Sequence, residues 1–177
     1  MRIISGKLGS RQFIAPKGFA THPMGDRVRT ALFNTLGDIV GLTVLDAFGG
    51  SGAISFEAIS RGASHATILE ADKDAYKIIK QNIHSLNLHS KITAHAIFAK
   101  AWSNRNTLST FDLIFCDPPY NNLQEKTLEK LANHVKENSL IVYSLPKHAD
   151  IRLDTNMFKL ETSKQYGDAT LAFYRKI

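Results

Sequence analysis

Apolar and polar positions change their spacing repeatedly along the chain, and each change marks an element. Residues 42–47 form an apolar run interrupted only by Asp46 near its end, the pattern of a buried strand. Residues 52–60 follow as a helix closed by Arg61-Gly62, and residues 65–70 read as a second strand. Asp72 is placed to cap a helix carrying Tyr76, Ile79, Ile83 and Leu86, and residues 91–96 give a third strand. A weaker helical stretch over 98–108 leads to a fourth strand over 111–116. Residues 123–136 then read as a helix with Leu128, Leu131 and Val135 on one face, and residues 139–145 as a fifth strand. Two strand-like runs, 158–163 and 169–175, are joined by Gln165-Tyr166-Gly167-Asp168, which predicts an antiparallel terminal hairpin. Before all of these, residues 2–5 and 12–15 flank Gly6-Lys7-Leu8-Gly9-Ser10 as a short hairpin. Asp26 is positioned as the N-cap of a helix carrying Val28, Ala31, Leu32, Thr35 and Leu36, with Gly37 as its stop.

Strands alternating with helices predict right-handed crossovers and a mainly parallel sheet covered on both faces. Such sheets take ligands outside the carboxyl ends of their strands, where the strand order reverses. The 177 residues suffice for one α/β domain, and no repeat, low-complexity tract or linker divides them. The expected division is a basic N-terminal hairpin extension over 1–25 and one globular unit over 26–177.

Composition narrows the setting. A hydrophobic content of 44% with 21% charged residues is that of a soluble globular domain. The one cysteine, Cys116, has no partner for an internal disulfide and suits a reducing compartment. No run has the length of a membrane span, so the expected location is cytoplasmic. Charge is unevenly placed. Arg2, Lys7, Arg11, Lys17, Arg27 and Arg29 stand against Asp26 alone in the first thirty residues, while the remainder is nearly neutral. This concentration suits a polyanion as partner, or else a solvated face that aids solubility. Seven scattered histidines offer no ligand spacing, and no metal site is expected.

Two motifs fall at predicted strand ends. The first, Asp46-Ala47-Phe48-Gly49-Gly50-Ser51-Gly52, opens a helix, so its glycines let a ligand approach the backbone near free amides. Glu70 ends the second strand 18 residues after Gly52, where a carboxylate can accept from both hydroxyls of a ribose. The spacing is not G-x-G-x-x-G, and Asp46 suits an ammonium better than a pyrophosphate. S-adenosylmethionine, another nucleotide and a purely structural turn all satisfy this motif alone. The second motif is Asp117-Pro118-Pro119-Tyr120. Two prolines supply no donors, the Pro118 carbonyl and the Asp117 carboxylate are acceptors, and Tyr120 is a flat platform. Two acceptors beside an aromatic face fit a planar base with an exocyclic amine, although a Pro-Pro turn after a strand would look the same.

Together these residues resemble the amino-methyltransferases of nucleic acid bases, whose fourth motif is [DNS]-P-P-[YFW]. The resemblance narrows to the bacterial RsmD family of 16S ribosomal RNA (guanine-N2)-methyltransferases. It is carried by Arg2-Ile3-Ile4-Ser5-Gly6, by Asp26-Arg27-Val28-Arg29-Thr30-Ala31-Leu32-Phe33-Asn34, and by residues 45–53 and 57–63. Asp117-Pro118-Pro119-Tyr120 and Tyr166-Gly167-Asp168 complete it. It implies a Rossmann-like S-adenosylmethionine-dependent methyltransferase fold and methylation of N2 of one guanine in small-subunit ribosomal RNA by a monomer. The implied cofactor residues are Asp46, Phe48, Gly49, Gly50, Ser51, Gly52, Glu70 and Ile97. Asp117, Pro118 and Tyr120 become the catalytic group, and Arg2, Lys7, Arg11, Lys17, Arg27 and Arg29 the RNA contacts, although Arg27 and Arg29 equally suit capping and pairing on their own helix. The chain departs from the family's pattern at His22-Pro23-Met24-Gly25, at Gly49 where alanine is usual, and at Ala96-Ile97-Phe98 near the expected adenine.

Other side chains have plainer readings. Cys116 precedes the second motif, but an amine needs no covalent nucleophile, and a cysteine within a buried strand behaves as a small apolar residue. Trp102 reads as core, and Tyr166 as turn packing or the rim of the substrate mouth. Rival functions are a DNA adenine-N6 methyltransferase, a noncatalytic RNA-binding assembly factor and a dehydrogenase.

Overall fold

The computed structural model describes residues 1–16, 24–149, 151 and 153–177. Helix α1 (Asp26–Leu36) precedes the alternating body of β1 (Thr43–Asp46), α2 (Ala53–Ser60), β2 (His65–Glu70), α3 (Lys73–Ser85) and β3 (Ile92–Ala96). It continues through α4 (Ala99–Arg105), β4 (Phe111–Cys116), α5 (Glu125–Leu131) and β5 (Val135–Pro146). The strands β6 (Phe158–Tyr166) and β7 (Ala169–Lys176) close the chain. All seven strands form one sheet in the order β3-β2-β1-β4-β5-β7-β6. The pairs among β1 to β5 are parallel, and β7 runs antiparallel to both β5 and β6. The α/β fold and the terminal hairpin are therefore as expected.

Strand order reverses between β1 and β4. From β1 the chain moves outward through β2 and β3, then returns to the other side of β1. Asp46 pairs with Phe115, and the Ala47 amide donates to the Phe115 carbonyl at 3.0 Å. The loops leaving β1 and β4 consequently diverge from adjacent points, which opens a crevice at the strand carboxyl ends.

Successive strand residues point to opposite faces. Val44, Ile68, Leu113 and Phe115 join one core with α1, α2 and α3, while Leu45, Leu69, Ile114 and Cys116 join another with Trp102, Leu128 and Leu131. Helix α2 is enclosed on every side: all eight of its residues are buried, the polar Ser55, Glu57 and Ser60 included. The N-terminal segment covers its outer side: Ile3 and Phe13 are buried there, and Phe13 meets Phe56 edge-on at 5.1 Å.

That segment is the expected hairpin with a shorter ladder than residues 2–5 and 12–15 would give. One antiparallel bridge, Arg2 to Gln12, joins its arms, with the Ile3 and Phe13 amides donating to the Arg11 and Met1 carbonyls and the Ser10 amide to that of Ile3. Other backbone groups are satisfied by the body. The Ile4 and Ser5 amides donate to the Glu57 carboxylate at 2.7 and 3.1 Å, and the Lys7 amide to the Ser60 carbonyl at 2.7 Å. Asn82 both accepts from the Ile14 amide and donates to its carbonyl. A chain hydrogen-bonded sideways to two helices has few groups left for a ladder.

Two boundaries also move. Gly25, not Asp26, is the N-cap of α1, because the Asp26 carboxylate is engaged by Arg29 and Arg2. Helix α5 is shorter than residues 123–136: it ends at Leu131 and passes through a 3₁₀ turn, Ala132–His134. Val135 then pairs with Phe111 and belongs to β5. Asp72 does cap α3, accepting from the Asp74 and Ala75 amides.

Candidate active site

The loop leaving β1 contains three glycines with different surroundings. A Cβ on Gly49 would stand 2.3 Å from Ile68 Cγ2, so this glycine is dictated by packing under the loop. Gly52 is the left-handed N-cap of α2, and its missing Cβ leaves room for the Phe56 ring. Gly50 also has positive φ, at 53°, but a Cβ there would meet only the Phe48 carbonyl at 4.0 Å. Of the three, Gly50 alone leaves open space on the side where a Cβ would stand, whereas that side of Gly52 faces the Phe56 ring.

Glu70 ties two loops together. One carboxylate oxygen accepts from the Gly50 amide at 2.6 Å and the other from the Asp72 amide at 2.7 Å. Each oxygen retains a second lone pair for an incoming hydroxyl. Burial raises the pKa of Glu70, against the lowering effect of these amides. The Ile97 amide donates to the Glu70 carbonyl at 3.0 Å, which brings the β3–α4 turn beside the same strand end. Phe48 is half-buried, Ser51 is buried, and Phe98, in the stretch expected near the adenine, is an exposed aromatic on the turn.

Asp46 lies beneath this loop with 1% exposure. Its Oδ2 accepts from the Ser55 hydroxyl at 2.9 Å, while its buried Oδ1 has no hydrogen-bond partner among the described residues. Burial pushes its pKa up to about 7, with Asp117 and Glu70 adding repulsion and the Ser55 hydroxyl opposing. An unsatisfied carboxylate oxygen at a strand end is suited to a cationic or hydrogen-bonding ligand.

Across the reversal point, the second motif leaves β4. Asp117 is partly buried, and burial raises its pKa to about 6, opposed by the nearby Ser144 hydroxyl. The Pro118 carbonyl receives no hydrogen bond from the described residues, whereas that of Pro119 accepts from the Asn122 amide. Tyr120 is 40% exposed, and its hydroxyl lies 3.0 Å from Ser144 Oγ. Ser144, on β5, is the residue sequence reasoning missed, since an isolated serine in an apolar strand carries no motif. A crevice beside Asp117 is floored by Leu32, Ile54, Phe115 and Leu171. A wider cleft of about 710 Å³ reaches Tyr120 from the α4–α5 side, with Lys100, Leu123 and Lys126 on its walls.

The remaining expectations divide. Cys116 is buried, with its thiol pKa raised well above the usual value by burial, and Trp102 is core against Phe111 and His134. Among the basic residues Arg2, Lys7, Arg11 and Arg27 are exposed, and Lys17 lies outside the described residues, as do His22 and Pro23. Arg29 is corrected. It is fully buried, donating to the Met24 and Arg2 carbonyls and to Asp26, with its Nε 3.9 Å from Glu57. It fastens the extension to the body and has no surface to offer a phosphate. Tyr166 is half-buried against the core. Among the described residues no cluster of His, Cys, Asp or Glu is placed to hold a metal ion.

Known proteins are similar to this chain in sequence and fold. The family described as conserved hypothetical protein 95 matches residues 1–175. Ribosomal RNA small subunit methyltransferase D of Buchnera aphidicola (subsp. Acyrthosiphon pisum) is 32% identical over 169 residues, covering 92% of this chain and 88% of its own. The Haemophilus influenzae protein of the same name is 35% identical over 156 residues, covering 83% and 79%. Among solved structures, the yhhF protein of Escherichia coli superposes with a TM-score of 0.88 at 28% identity, covering 99% of this chain and 97% of its own.

Proposed function

This chain belongs to the ribosomal RNA small subunit methyltransferase D family, and from that membership we propose that it methylates the exocyclic N2 amine of one guanine in small-subunit (16S) ribosomal RNA. It is an S-adenosylmethionine-dependent methyltransferase acting on ribosomal RNA. The choice of amine, the small-subunit context, a monomeric state, a cytoplasmic location and the residue roles below are the proposal. A single observation supports it most: the Asp117 carboxylate, the Pro118 carbonyl and the exposed Tyr120 ring leave β4 next to the end of β1, where Asp46 keeps an orphaned carboxylate oxygen.

The residues fit S-adenosylmethionine. Asp46 Oδ1 would meet the ammonium of its methionine moiety, the open side of Gly50 would admit it, and the spare lone pairs of Glu70 would take the ribose hydroxyls. Phe48, Gly49, Ser51, Gly52 and Ile97 would shape the walls. When bound, it supplies an electrophilic methyl on a sulfonium.

The chain's own groups act on the guanine. Tyr120 stacks the base once it is splayed from its neighbours. Asp117 and the Pro118 carbonyl accept the two N–H groups of the amine, which aims its lone pair away from them; positioning of this kind is the main catalytic contribution. Asp117 or solvent takes the proton released afterwards. Residues 26–177 act as the methyltransferase unit, and the extension over 1–25, with Arg2, Lys7, Arg11 and Lys17, together with Arg27 holds RNA phosphates.

The test is transfer of a labelled methyl group to unmodified small subunits and to the naked RNA, with digestion to nucleosides. N2-methylguanine at one position is expected, and the preferred substrate shows whether ribosomal proteins complete the site. N6-methyladenine as the product would overturn the reading. Asp117→Ala is expected to abolish turnover, by at least about a hundredfold, while cofactor binding survives.

A further inference from the structure

Resting on that reading, we propose that Asp168, in the turn between β6 and β7, selects guanine by accepting its N1–H while Asp117 holds the neighbouring amine. The register places it there. Pro146 of β5 pairs with Ala169 of β7, and Ser144 pairs with Leu171, so Asp168 stands at the mouth end of the strand pair that carries Ser144. The Lys147 amide donates to the Asp168 carbonyl at 3.0 Å, which fixes the turn to the end of β5. Ser144 in turn holds the Tyr120 hydroxyl at 3.0 Å. The Asp168 side chain is exposed and has no hydrogen bond or ion pair among the described residues.

Tyr120 is thus near two carboxylates from different elements: Asp117, three residues before it, and Asp168, at the end of the β5–β7 pair to which Ser144 ties the ring. The negative charges of Asp117 and Asp168 both act on its phenol, secondary to burial in raising its pKa. In the proposed pose a base stacked on this ring turns one edge to both acceptors. Guanine offers two adjacent donor groups on its Watson–Crick edge, the N2 amine and N1–H. Adenine offers one amine beside an N1 lone pair, which a carboxylate repels. A site that hydrogen-bonds one pattern rejects the other more strongly than any apolar pocket would, because the mismatch leaves a polar group unpaired. Gln165 donates to the Gly167 carbonyl across the same turn, so the carboxylate is carried on an ordered element.

The discriminating substrate is 2-aminopurine, which keeps the N2 amine but has an unprotonated N1. Small subunits are reconstituted with guanine or 2-aminopurine at the methylated position, and kcat/KM is measured for both. The wild-type protein is expected to favour guanine by about tenfold or more. Asp168→Asn, whose amide can donate to an N1 lone pair, is expected to bring the ratio close to one with an unchanged dissociation constant for S-adenosylmethionine. Asp168→Ala is expected to lose guanine activity without gaining on 2-aminopurine. An Asp168→Asn ratio equal to that of the wild type overturns the inference and leaves the guanine-N2 reading intact. Failure of the wild-type protein to methylate guanine in these subunits overturns that reading itself.

Discussion

Glu57 and Asp46 are both buried carboxylates, exposed by 0% and 1%, and both touch helix α2, yet their surroundings are opposite. Glu57 is surrounded by donors. One oxygen accepts from the Ser5 amide and from Arg61 Nε at 2.8 Å, and the other accepts from the Ile4 amide with Arg29 nearby. Asp46 has one hydroxyl, from Ser55, and an oxygen with no partner among the described residues. Burial, opposed only by the Ser55 hydroxyl and the Phe48 amide and helped by the charges of Asp117 and Glu70, raises its pKa to about 7. The difference separates two uses of a buried charge. One is satisfied within the fold and holds the N-terminal segment down; the other is left incomplete at the end of a strand, where a ligand can complete it.

Glu57→Ala is the severest test of that division. It takes the carboxylate away from the fully buried Arg29, which keeps Asp26, breaks the pair with Arg61, and frees the Ile4 and Ser5 amides. Removing one side of a buried ion pair costs about 3–5 kcal/mol, so chemical denaturation should show a loss of that order. Asp46→Asn should act elsewhere. It removes a buried charge with little support, so stability at pH 8 should hold or rise. Affinity for S-adenosylmethionine should fall about tenfold to a hundredfold by calorimetry, the scale of a hydrogen bond to a charged group. The division fails if Asp46→Asn destabilises as severely as Glu57→Ala.

Much of this contrast was invisible in the sequence. The sheet was legible because its strands are short apolar runs separated by capped helices; residues 65–70 and 111–116 match β2 and β4 at both ends. Both motif loops were legible because glycines and prolines mark strand exits. Glu57 was not, since a glutamate inside an apolar helix acquires meaning only from what packs above it. Arg29 misled for the same reason: in sequence it is one more cation in a basic stretch, while in space it is turned inward to carbonyls and carboxylates. Ser144 lies 27 residues beyond Asp117 on the neighbouring strand, and only the β4–β5 pairing brings them together.

A change of pH distinguishes the same two sites without mutation. The Asp46 carboxyl releases its proton near 3.8 when unfolded but near 7 when folded, so the folded state holds more protons between these values. Its contribution to stability therefore falls as pH rises from about 4 to 7 and is constant above. Cofactor affinity should run the other way. An ionised Asp46 is needed to meet an ammonium, so affinity should rise with pH up to about 7, by about tenfold per unit below that point, and then level. In Asp46→Asn this slope should vanish, whereas a charge elsewhere in the site would preserve it.

The smallest expected effect belongs to Ser144→Ala. Its hydroxyl holds Tyr120 and lowers the pKa of Asp117, opposing the burial that leaves it raised to about 6. A neutral hydrogen bond is worth about 0.5–1.5 kcal/mol, so kcat should drop about twofold to tenfold. The more telling readout is the acid limb of the kcat profile. Without the hydroxyl the ionised carboxylate loses support, so the limb should move to higher pH than in the wild-type protein. A loss of kcat with an unmoved limb would mean that Ser144 acts on the ring alone, and that Asp117 is tuned by burial without help from β5.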